Sequence, residues 1–397
     1  MTPSSDAGEG RGPLSGITVL DTSNMLMGPY ATGLLGSLGA RVIKVEPPAG
    51  DISRGIADAD GLLAGPIHLN VNRGKESIAL DLRDDNDHAV FAALVARADV
   101  VVHNRPAGTE ERLRLDYASL SAINPRIIVC ALCGFGSGGR YARLPAYDDV
   151  MQAVSGIASH QTGDGEPQYV RADPTDKITG MAGVAAIGAA LYERERSGRG
   201  QFIEVPMFET MVHFLLAEQQ GFYIYDPPRG KAGYARTNSP HRHPFRTRDG
   251  LIGLLPSTDA HWLMVFRILD REDVGADPRF ATVTARTANI DELYEWLAGE
   301  LVEHDTAALL ARFRDAGVPA MHVNSIEDLF SDPHLDETGY FEKVQHPQAG
   351  TLRQASAPFR FSRTGAPVLA PAPVLDADGE RLRAEFAPAD PARRSRS

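Results

Sequence analysis

The stretch GITVLDTSNMLMGPYATGLLGSLGARVIKVEPP, residues 16–48, decides the class of fold. It opens with a short apolar run that is typical of a buried strand. In the following segment Ala31, Leu34, Leu35 and Leu38 fall on one face of a helix. RVIKVE then returns to a strand and ends at two prolines. A strand, a helix and a second strand in this order predict parallel strands joined by a crossover helix.

The same alternation continues to about residue 207. Strand-like and helix-like segments follow each other as SIALDLR (77–83), DDNDHAVFAALVARA (84–98), DVVVHN (99–104), RIIVCALCGFG (126–136), TGMAGVAAIGAALYERERSG (179–198) and GQFIEVPM (200–207). This pattern predicts an α/β fold with a mostly parallel sheet that helices cover on both faces.

The amino-acid composition changes after about residue 220, where Gly, Pro and Arg become frequent. A smaller α+β pattern follows. Later residues are rich in Pro and His, and both ends of the chain are polar. The predicted divisions are a disordered tail (1–12), a large domain (13–224), a small α+β domain (225–325), a C-terminal return to the large domain (326–385) and a second disordered tail (386–397).

The formal net charge of the 397 residues is −12. Nucleic-acid-binding proteins normally present a basic surface, so this charge disfavours that class. No apolar run approaches the roughly 20 residues that span a bilayer, and the first dozen residues lack the apolar centre of a signal peptide. The composition therefore favours a cytoplasmic enzyme with neither a nucleic-acid nor a membrane partner.

Cys130 and Cys133 are the two cysteines of the chain, in a C-x-x-C spacing. That spacing occurs in redox pairs and in halves of zinc sites. Here it lies inside an apolar, strand-like run, and residues three apart on a strand point to opposite faces. We therefore predict structural cysteines and neither a disulfide nor a shared metal.

Two further patterns carry little weight. GFGSGG (134–139) matches G-x-G-x-x-G, but the segment that follows contains Pro145 and does not open a helix. HRH (241–243) has no third metal ligand at a recognisable spacing. The chain contains neither a G-x-S-x-G elbow nor a Walker loop. No metal or resident cofactor is expected.

Two carboxylates precede the helix of small residues. Asp173 and Asp176 lie in VRADPTDKITG (170–180), just before or within its first turn. An acidic residue at a helix N-terminus is normally a cap. Position alone does not distinguish the two as nucleophile candidates.

An ordered series of segments resembles the class III CoA-transferases, the family of formyl-CoA transferase and the carnitine CoA-transferase, from about residue 13 to 385. The segments are PLSGITVLD (13–21), GPYATGLLGSLGARVIKVEPPAGD (28–51), NRGKESIALDLR (72–83), ADVVVHN (98–104), INPRIIVCALCGFGSGGRYA (123–142), AYDDVMQAVSG (146–156), DKITG (176–180), SGRGQFIEVPMFE (197–209), RTRDGLIG (246–253), ADPRF (276–280), DAGVPAMHV (315–323) and SDPH (331–334).

The resemblance implies that Asp176, and not Asp173, is the nucleophile, since the family's aspartate stands in a D-x-x-T-G-like motif. It implies attack on an acyl-CoA to give a mixed anhydride, then an aspartyl-CoA thioester that transfers CoA to a second acid. With a reference pKa of about 3.9, this carboxylate is expected to be ionised at pH 7 and to need no general base. Tyr147 and Asp148 are possible supporting residues.

The resemblance also implies that the large domain binds coenzyme A as a substrate. The expected CoA-binding residues are Asn24, Met25, Leu26, Met27, Lys75, Asn104, Arg112 and Phe135. The chain departs from its relatives at two places. Cys133 stands where some members have a lysine, and TNSPHRHPF (237–245) replaces the glycine-rich loop of formyl-CoA transferases. The second departure disfavours the formyl and oxalate pair.

The alternative within the same superfamily is a 2-methylacyl-CoA racemase, which resembles these enzymes in fold but uses a histidine in a G-H-D-like motif. The aligned residues here are Ala146, Tyr147 and Asp148, and a tyrosine with a pKa near 10 is a poor base. Two readings from other classes are a catalytically silent CoA-binding protein and an NAD-dependent dehydrogenase.

The resemblance further implies a Rossmann-like large domain and an interlocked homodimer, with active sites near the interface. The acid pair is left open. The loop 229–248 is expected to shape the acceptor pocket, and its arginines suit a dicarboxylate such as succinate; they are Arg229, Arg236, Arg242 and Arg246.

Overall fold

A computed structural model of the protein describes residues 12–163 and 165–387. The tails predicted to be disordered, 1–12 and 386–397, lie outside these residues except for Gly12, Phe386 and Ala387. Phe386 ends the last helix and is buried. The described chain divides into two compact units, 12–158 with 169–214 and 339–387 in the first, and 159–163 with 165–168 and 215–338 in the second.

The first unit is built on a six-stranded, fully parallel sheet. Its strands are β1 (Thr18–Asp21), β2 (Arg41–Glu46), β3 (Lys75–Ala79), β4 (Val100–His103), β5 (Ile128–Cys133) and β6 (Phe202–Pro206). Their order across the sheet is β3-β2-β1-β4-β5-β6, the doubly wound order of Rossmann-like folds. The predicted parallel α/β sheet is confirmed. The order reverses between β1 and β4, and ligands of such sheets bind at that point, beyond the carboxyl ends of the strands.

Helices enclose this sheet from both sides. The helices in chain order up to the second unit are α1 (Met27–Ser37), α2 (Pro66–Val71), α3 (Asp85–Val95), α4 (Thr109–Arg112), α5 (Tyr117–Ile123), α6 (Asp148–Val154), α7 (Ile157–Gln161), α8 (Pro174–Ser197) and α9 (Met207–Gln219). Alternate strand residues enter two separate cores: Val19 packs with Ile187 of α8, and Leu20 with Phe91 of α3. Burial on both faces explains why the central strands β4 and β5 are almost uniformly apolar.

The second unit has an α+β core of its own. Its elements are α10 (Ala235–Asn238), β7 (Phe245–Arg246), β8 (Leu251–Leu254), α11 (Asp259–Ile268), α12 (Glu272–Gly275), α13 (Val283–Ala288), α14 (Ile290–Leu301), α15 (Thr306–Asp315), β9 (Ala320–His322) and α16 (Pro333–Glu337). The three strands form an antiparallel sheet in the order β7-β8-β9. Trp262, Phe266, Leu297 and Phe313 pack against it.

The C-terminal segment belongs to the first unit. It contains the hairpin β10 (Phe341–His346) and β11 (Gly350–Ala355), followed by α17 (Gly379–Phe386). Just before α17, Asp376 and Asp378 accept hydrogen bonds from the backbone N–H groups of Ala79 and Ser77 at 2.8 and 2.9 Å. These residues lie on β3, so the end of the chain satisfies donors of an edge strand.

None of the helices in the described part of the chain combines the length and apolarity that crossing a bilayer would require.

Candidate active site

The connection from β1 to α1 lies at the point where the strand order reverses. Asn24 N donates to Asn104 Oδ1 and Asn104 Nδ2 donates to Asn24 O, both at 2.9 Å. Asn104 directly follows β4, so this pair joins the carboxyl ends of the two central strands. The structure thus brings together two of the predicted CoA-binding residues where a doubly wound sheet presents its ligand.

The other predicted residues of this connection differ in exposure. Met25 is partly exposed and has a left-handed backbone, with φ of 65°. Leu26 and Met27 are buried, and Met27 belongs to the core beneath the sheet. Phe135 belongs to the same core, where its ring lies 5.4 Å from that of Tyr141. The buried side chains of Leu26, Met27 and Phe135 therefore support the site by packing inside the protein.

Lys75, a predicted CoA-binding residue, lies inside the protein. Its Nζ donates to Asp21 Oδ2, Pro29 O, Thr32 Oγ1 and Asn72 Oδ1, all within 2.9 Å. The side chain is completely buried, and burial lowers the pKa of Lys75 to about 8. A phosphate contact would require the ammonium to leave these four oxygens.

Arg112, another predicted CoA-binding residue, stands apart from this group. It ends the short helix α4, is exposed, and donates to Thr109 Oγ1 at 3.2 Å. The described contacts do not bring its side chain to the Asn24–Asn104 pair.

Asp148 begins α6 and acts as an external cap for α8. Its buried carboxylate accepts from Thr175 Oγ1 at 2.6 Å and from Asp176 N at 3.0 Å. Gln152 Nε2 donates to the other oxygen at 2.6 Å. Since Asp173, just before α8, makes no side-chain cap bond, Asp148 satisfies a backbone donor of the first turn from 28 positions away. Tyr147 precedes it with a side chain that is 75% exposed.

Asp176 is the third residue of α8 and is partly buried. Burial, together with the like charges of Asp148 and Asp173, raises the pKa of Asp176 to about 7; Lys177 opposes this shift. The expectation of a fully ionised carboxylate at pH 7, drawn from the reference pKa, is therefore wrong. A pKa near neutrality means that the neutral and charged forms coexist, which is typical of tuned reactive groups.

Small residues let α8 approach α1 closely. A side chain at Gly180 would lie 3.0 Å from Met27 O and 3.2 Å from the Tyr30 ring. Gly180 lies about one turn beyond Asp176, and Met27 is part of the predicted CoA segment. This contact packs α8, one turn beyond Asp176, against the beginning of α1, which directly follows the connection at the switch point of the sheet.

Comparison with known proteins identifies the family of this chain. The family model described as CoA-transferase family III matches residues 14–379. The chain belongs to this family. The predicted family and the predicted enzyme class are confirmed.

This CoA-transferase is similar to proteins of named activity. It is 33% identical over 384 residues to a succinate–glutarate CoA-transferase of Agrobacterium fabrum, covering 94% of this chain and 96% of that one. It is 35% identical over 392 residues to an acetyl-CoA:oxalate CoA-transferase of Acetobacter aceti, covering 95% and 96%. A crystal structure of a CAIB/BAIF family protein from Brucella suis superposes with a TM-score of 0.80 at 32% identity, covering 95% of this chain and all of that one.

Sequence reasoning missed two largely buried cations that donate to the backbone of the β1–α1 connection. Arg105 donates through Nη2 to Thr22 O at 2.8 Å and is largely buried, and burial lowers its pKa. Its signal was an arginine two residues after a strand at the ligand-binding edge. Lys44 lies completely buried beside Asp21 and Asp51. Its signal was a lysine in the middle of an otherwise apolar strand.

The other motifs fit the simpler interpretation. Cys130 and Cys133 are both free, as predicted. Burial raises the pKa of each thiol to about 12, so neither is a thiolate at neutral pH. After β5, the glycines of GFGSGG lie in a loop, and the next helix begins only at Asp148. This geometry lacks the helix that a dinucleotide fingerprint requires.

Proposed function

We propose that this family III CoA-transferase moves CoA from an acyl-CoA donor to a free carboxylic acid through covalent intermediates on Asp176. The observation that carries the proposal is the position of Asp176, partly buried on the first turn of α8, one turn before the residue that packs on Met27 O. This position sets a tuned carboxylate next to the segment proposed to receive CoA. Asp173, in contrast, is exposed and outside the helix.

The proposed chemistry needs no net proton transfer. An oxygen of Asp176 attacks the thioester carbonyl, the C–S bond breaks, and the CoA thiolate leaves a mixed anhydride. The thiolate then attacks the aspartyl carbonyl, and the donor's acid leaves as a carboxylate, carrying an oxygen from Asp176. The acceptor carboxylate attacks the resulting aspartyl-CoA thioester, and the released thiolate attacks the acceptor's carbonyl. The new acyl-CoA leaves, and the Asp176 carboxylate is restored.

Asp148 supports this cycle without touching the acyl group. By accepting from Thr175 Oγ1 and Asp176 N it fixes the first turn of α8. Its negative charge also contributes to the raised pKa of Asp176. A more basic carboxylate is a stronger nucleophile once ionised, so Asp148 would tune the reaction through both geometry and charge.

For the acceptor we propose a dicarboxylic acid. The Agrobacterium and Acetobacter relatives are named for glutarate and oxalate, which are both dicarboxylates. Among the arginines of the loop 229–248, Arg242 and Arg246 are exposed, whereas Arg229 stacks 4.2 Å from the Tyr225 ring. An exposed guanidinium suits a second carboxylate, since it binds such groups through paired hydrogen bonds. An acceptor screen in which only monocarboxylates react would refute this part.

We also propose a homodimer in the cytoplasm. Support for the dimer comes from large apolar side chains that are exposed in the single chain, such as Phe222, Ile224, Met321 and Ile326. Exposed apolar surface of this kind commonly marks a protein interface. Light scattering tests the assembly, and a monomer would count against it. Cell fractionation tests the location.

The deciding experiment is mass spectrometry of the thioester pool after incubation in D2O. The protein receives succinyl-CoA, acetyl-CoA and a chiral 2-methylacyl-CoA together with a panel of mono- and dicarboxylic acids. We expect a new thioester that depends on the acceptor and that disappears in Asp176→Ala. Deuterium at the α-carbon without a new thioester would instead establish the racemase and return attention to Tyr147.

A further inference from the structure

Side chains from outside the connection between β1 and α1 hold several of its backbone groups. Besides the contacts of Arg105 and Asn104 described above, Lys44 Nζ donates to Ser23 O at 3.1 Å. Met25 N donates to Asp51 Oδ1 at 3.1 Å. A connection that is fixed at each of these backbone groups has little freedom left to lose when a ligand binds.

Lys44 and Asp51 form an ion pair beneath this connection. Lys44 Nζ lies 2.9 Å from Asp51 Oδ2 and 3.8 Å from Asp21 Oδ2, and the side chains of Lys44 and Asp51 are 0% and 1% exposed. Buried ion pairs cost desolvation and add little net stability compared with apolar residues of similar size. Lys44 and Asp51 each make one hydrogen bond to the backbone of the connection. The pair therefore contributes by fixing the conformation of the connection.

In that conformation Met25 has a backbone geometry that is unfavourable for a residue with a side chain. Met25 has φ of 65°, in the left-handed region that disfavours residues with a side chain. Such a backbone is unfavourable and persists only when its surroundings impose it. The bond from Met25 N to Asp51 is a restraint acting directly on that residue.

We infer that the Lys44–Asp51 pair is a positioning element for CoA: it holds residues 22–27 in the shape that receives the CoA part of the substrate. The inference rests on the CoA role proposed for this connection. Because both side chains are buried, they act through the backbone that they hold. Preorganisation of this kind strengthens binding by lowering the ordering cost. Its loss should appear in the KM for acyl-CoA and leave the chemistry at Asp176 intact.

The test is the double variant Lys44→Met/Asp51→Leu, which removes both charges together and leaves neither uncompensated. We expect a KM for the acyl-CoA donor at least tenfold higher, with kcat within twofold and the KM for the acceptor acid unchanged. Asp51→Asn retains an oxygen toward Met25 and removes one charge, and should raise the same KM at least twofold. An unchanged donor KM in both variants would overturn the inference.

A matched control lies at the amino ends of the strands of the same sheet, whereas the connection lies at their carboxyl ends. Arg194 and Asp99 form a largely buried pair at 2.8 Å, and Asp99 also accepts from Thr18 N, at the amino end of β1. Arg194→Met/Asp99→Leu therefore removes a comparable pair far along the strands from the connection. It should lower the melting temperature but leave the donor KM within twofold. An equal rise in donor KM would mean that any buried pair of the sheet matters, and the inference would fail.

Asn24→Asp separates this inference from the proposal beneath it. The substitution preserves the backbone and adds a negative charge to the connection, which would repel CoA phosphates. A raised donor KM here, together with the rise in Lys44→Met/Asp51→Leu, supports both statements. If Asn24→Asp leaves the donor KM unchanged, the connection does not lie against CoA, and the proposed CoA site fails first.

Discussion

Two buried carboxylates of the first unit have opposite surroundings. Asp21, at the end of β1, is completely buried between Lys75 at 2.9 Å and Lys44 at 3.8 Å, and these cations hold its pKa far below the usual range despite the opposing effect of burial. Asp176, at the start of α8, has acidic neighbours, and burial raises its pKa to about 7. The same residue type thus forms a permanently charged, structural ion pair in one region and a titrating group in the other.

The difference teaches that burial alone does not mark a reactive carboxylate. Burial withdraws Asp21 from water completely and Asp176 in part, but only Asp176 lacks a cation that fully compensates its charge. Charge context decides whether a buried acid stabilises the fold or remains available for chemistry. Substitution of the two residues by their amides should therefore have contrasting consequences.

The largest effect is expected on turnover in Asp176→Asn. The amide keeps the shape but cannot form the anhydride, so the rate of CoA transfer should fall by at least about 10³-fold. Initial rates of new thioester formation measure this effect, with Asp173→Asn as the matched control. A variant that retains a tenth of the wild-type rate would exclude Asp176 as the nucleophile.

The second effect is a loss of stability in Asp21→Asn. Removing this charge leaves Lys75 buried without its carboxylate, which typically costs about 3–5 kcal/mol. We expect a marked fall in the melting temperature of the first unit, which calorimetry would measure. Asp176→Asn should show no such fall, and equal losses in the two variants would break the comparison.

The third effect is a pH dependence that belongs to Asp176 alone. The nucleophilic form is the carboxylate, so the single-turnover rate of the first half-reaction should fall about tenfold per pH unit below a midpoint near 7 and level off above it. Asp148→Asn should move the midpoint to lower pH, and Asp173→Asn should move it less, since its charge contributes less. A midpoint that stays in place in both variants would show that their charges do not act on Asp176.

The smallest effect concerns stability at alkaline pH. The pKa of Asp176 is higher in the folded chain than in the unfolded one, so stability falls as the pH rises from about 4 to about 7. Asp176→Asn removes this loss and should gain about 1 kcal/mol at pH 8, a figure discounted because the side chain is only partly buried. The gain should vanish near pH 4. Melting curves at the two pH values measure it, and a gain that is independent of pH would contradict the assignment.

The sequence predicts the parallel sheet well because its central strands are buried on both faces and because strand-like and helix-like segments alternate along the chain. It also places Asp173 and Asp176 at the start of one helix, but local pattern does not separate them. The separation comes from Asp148, 28 positions earlier, which bonds the N–H of Asp176. Only the folded chain brings those groups together.

The charges beneath the sheet escape prediction for a similar reason. Lys75 looks like a surface cation because its partner Asp21 lies 54 positions away in the chain. The pKa of Asp176 departs from its reference value mainly through burial and through the charge of Asp148, which lies 28 positions earlier in the chain. Segment-by-segment reasoning finds elements, whereas electrostatics depends on pairs that the topology creates.

The acidic residues that cover β3 have a consequence for synthesis. Ala79 and Ser77 find their acceptors 297 and 301 positions later in the chain. At about 5–20 residues per second, a ribosome needs roughly 15–60 s to make that length. Throughout this interval the nascent sheet carries an open edge, which is a template for aggregation. We therefore expect chains released before Asp376 to depend on chaperones, however complete their catalytic residues are.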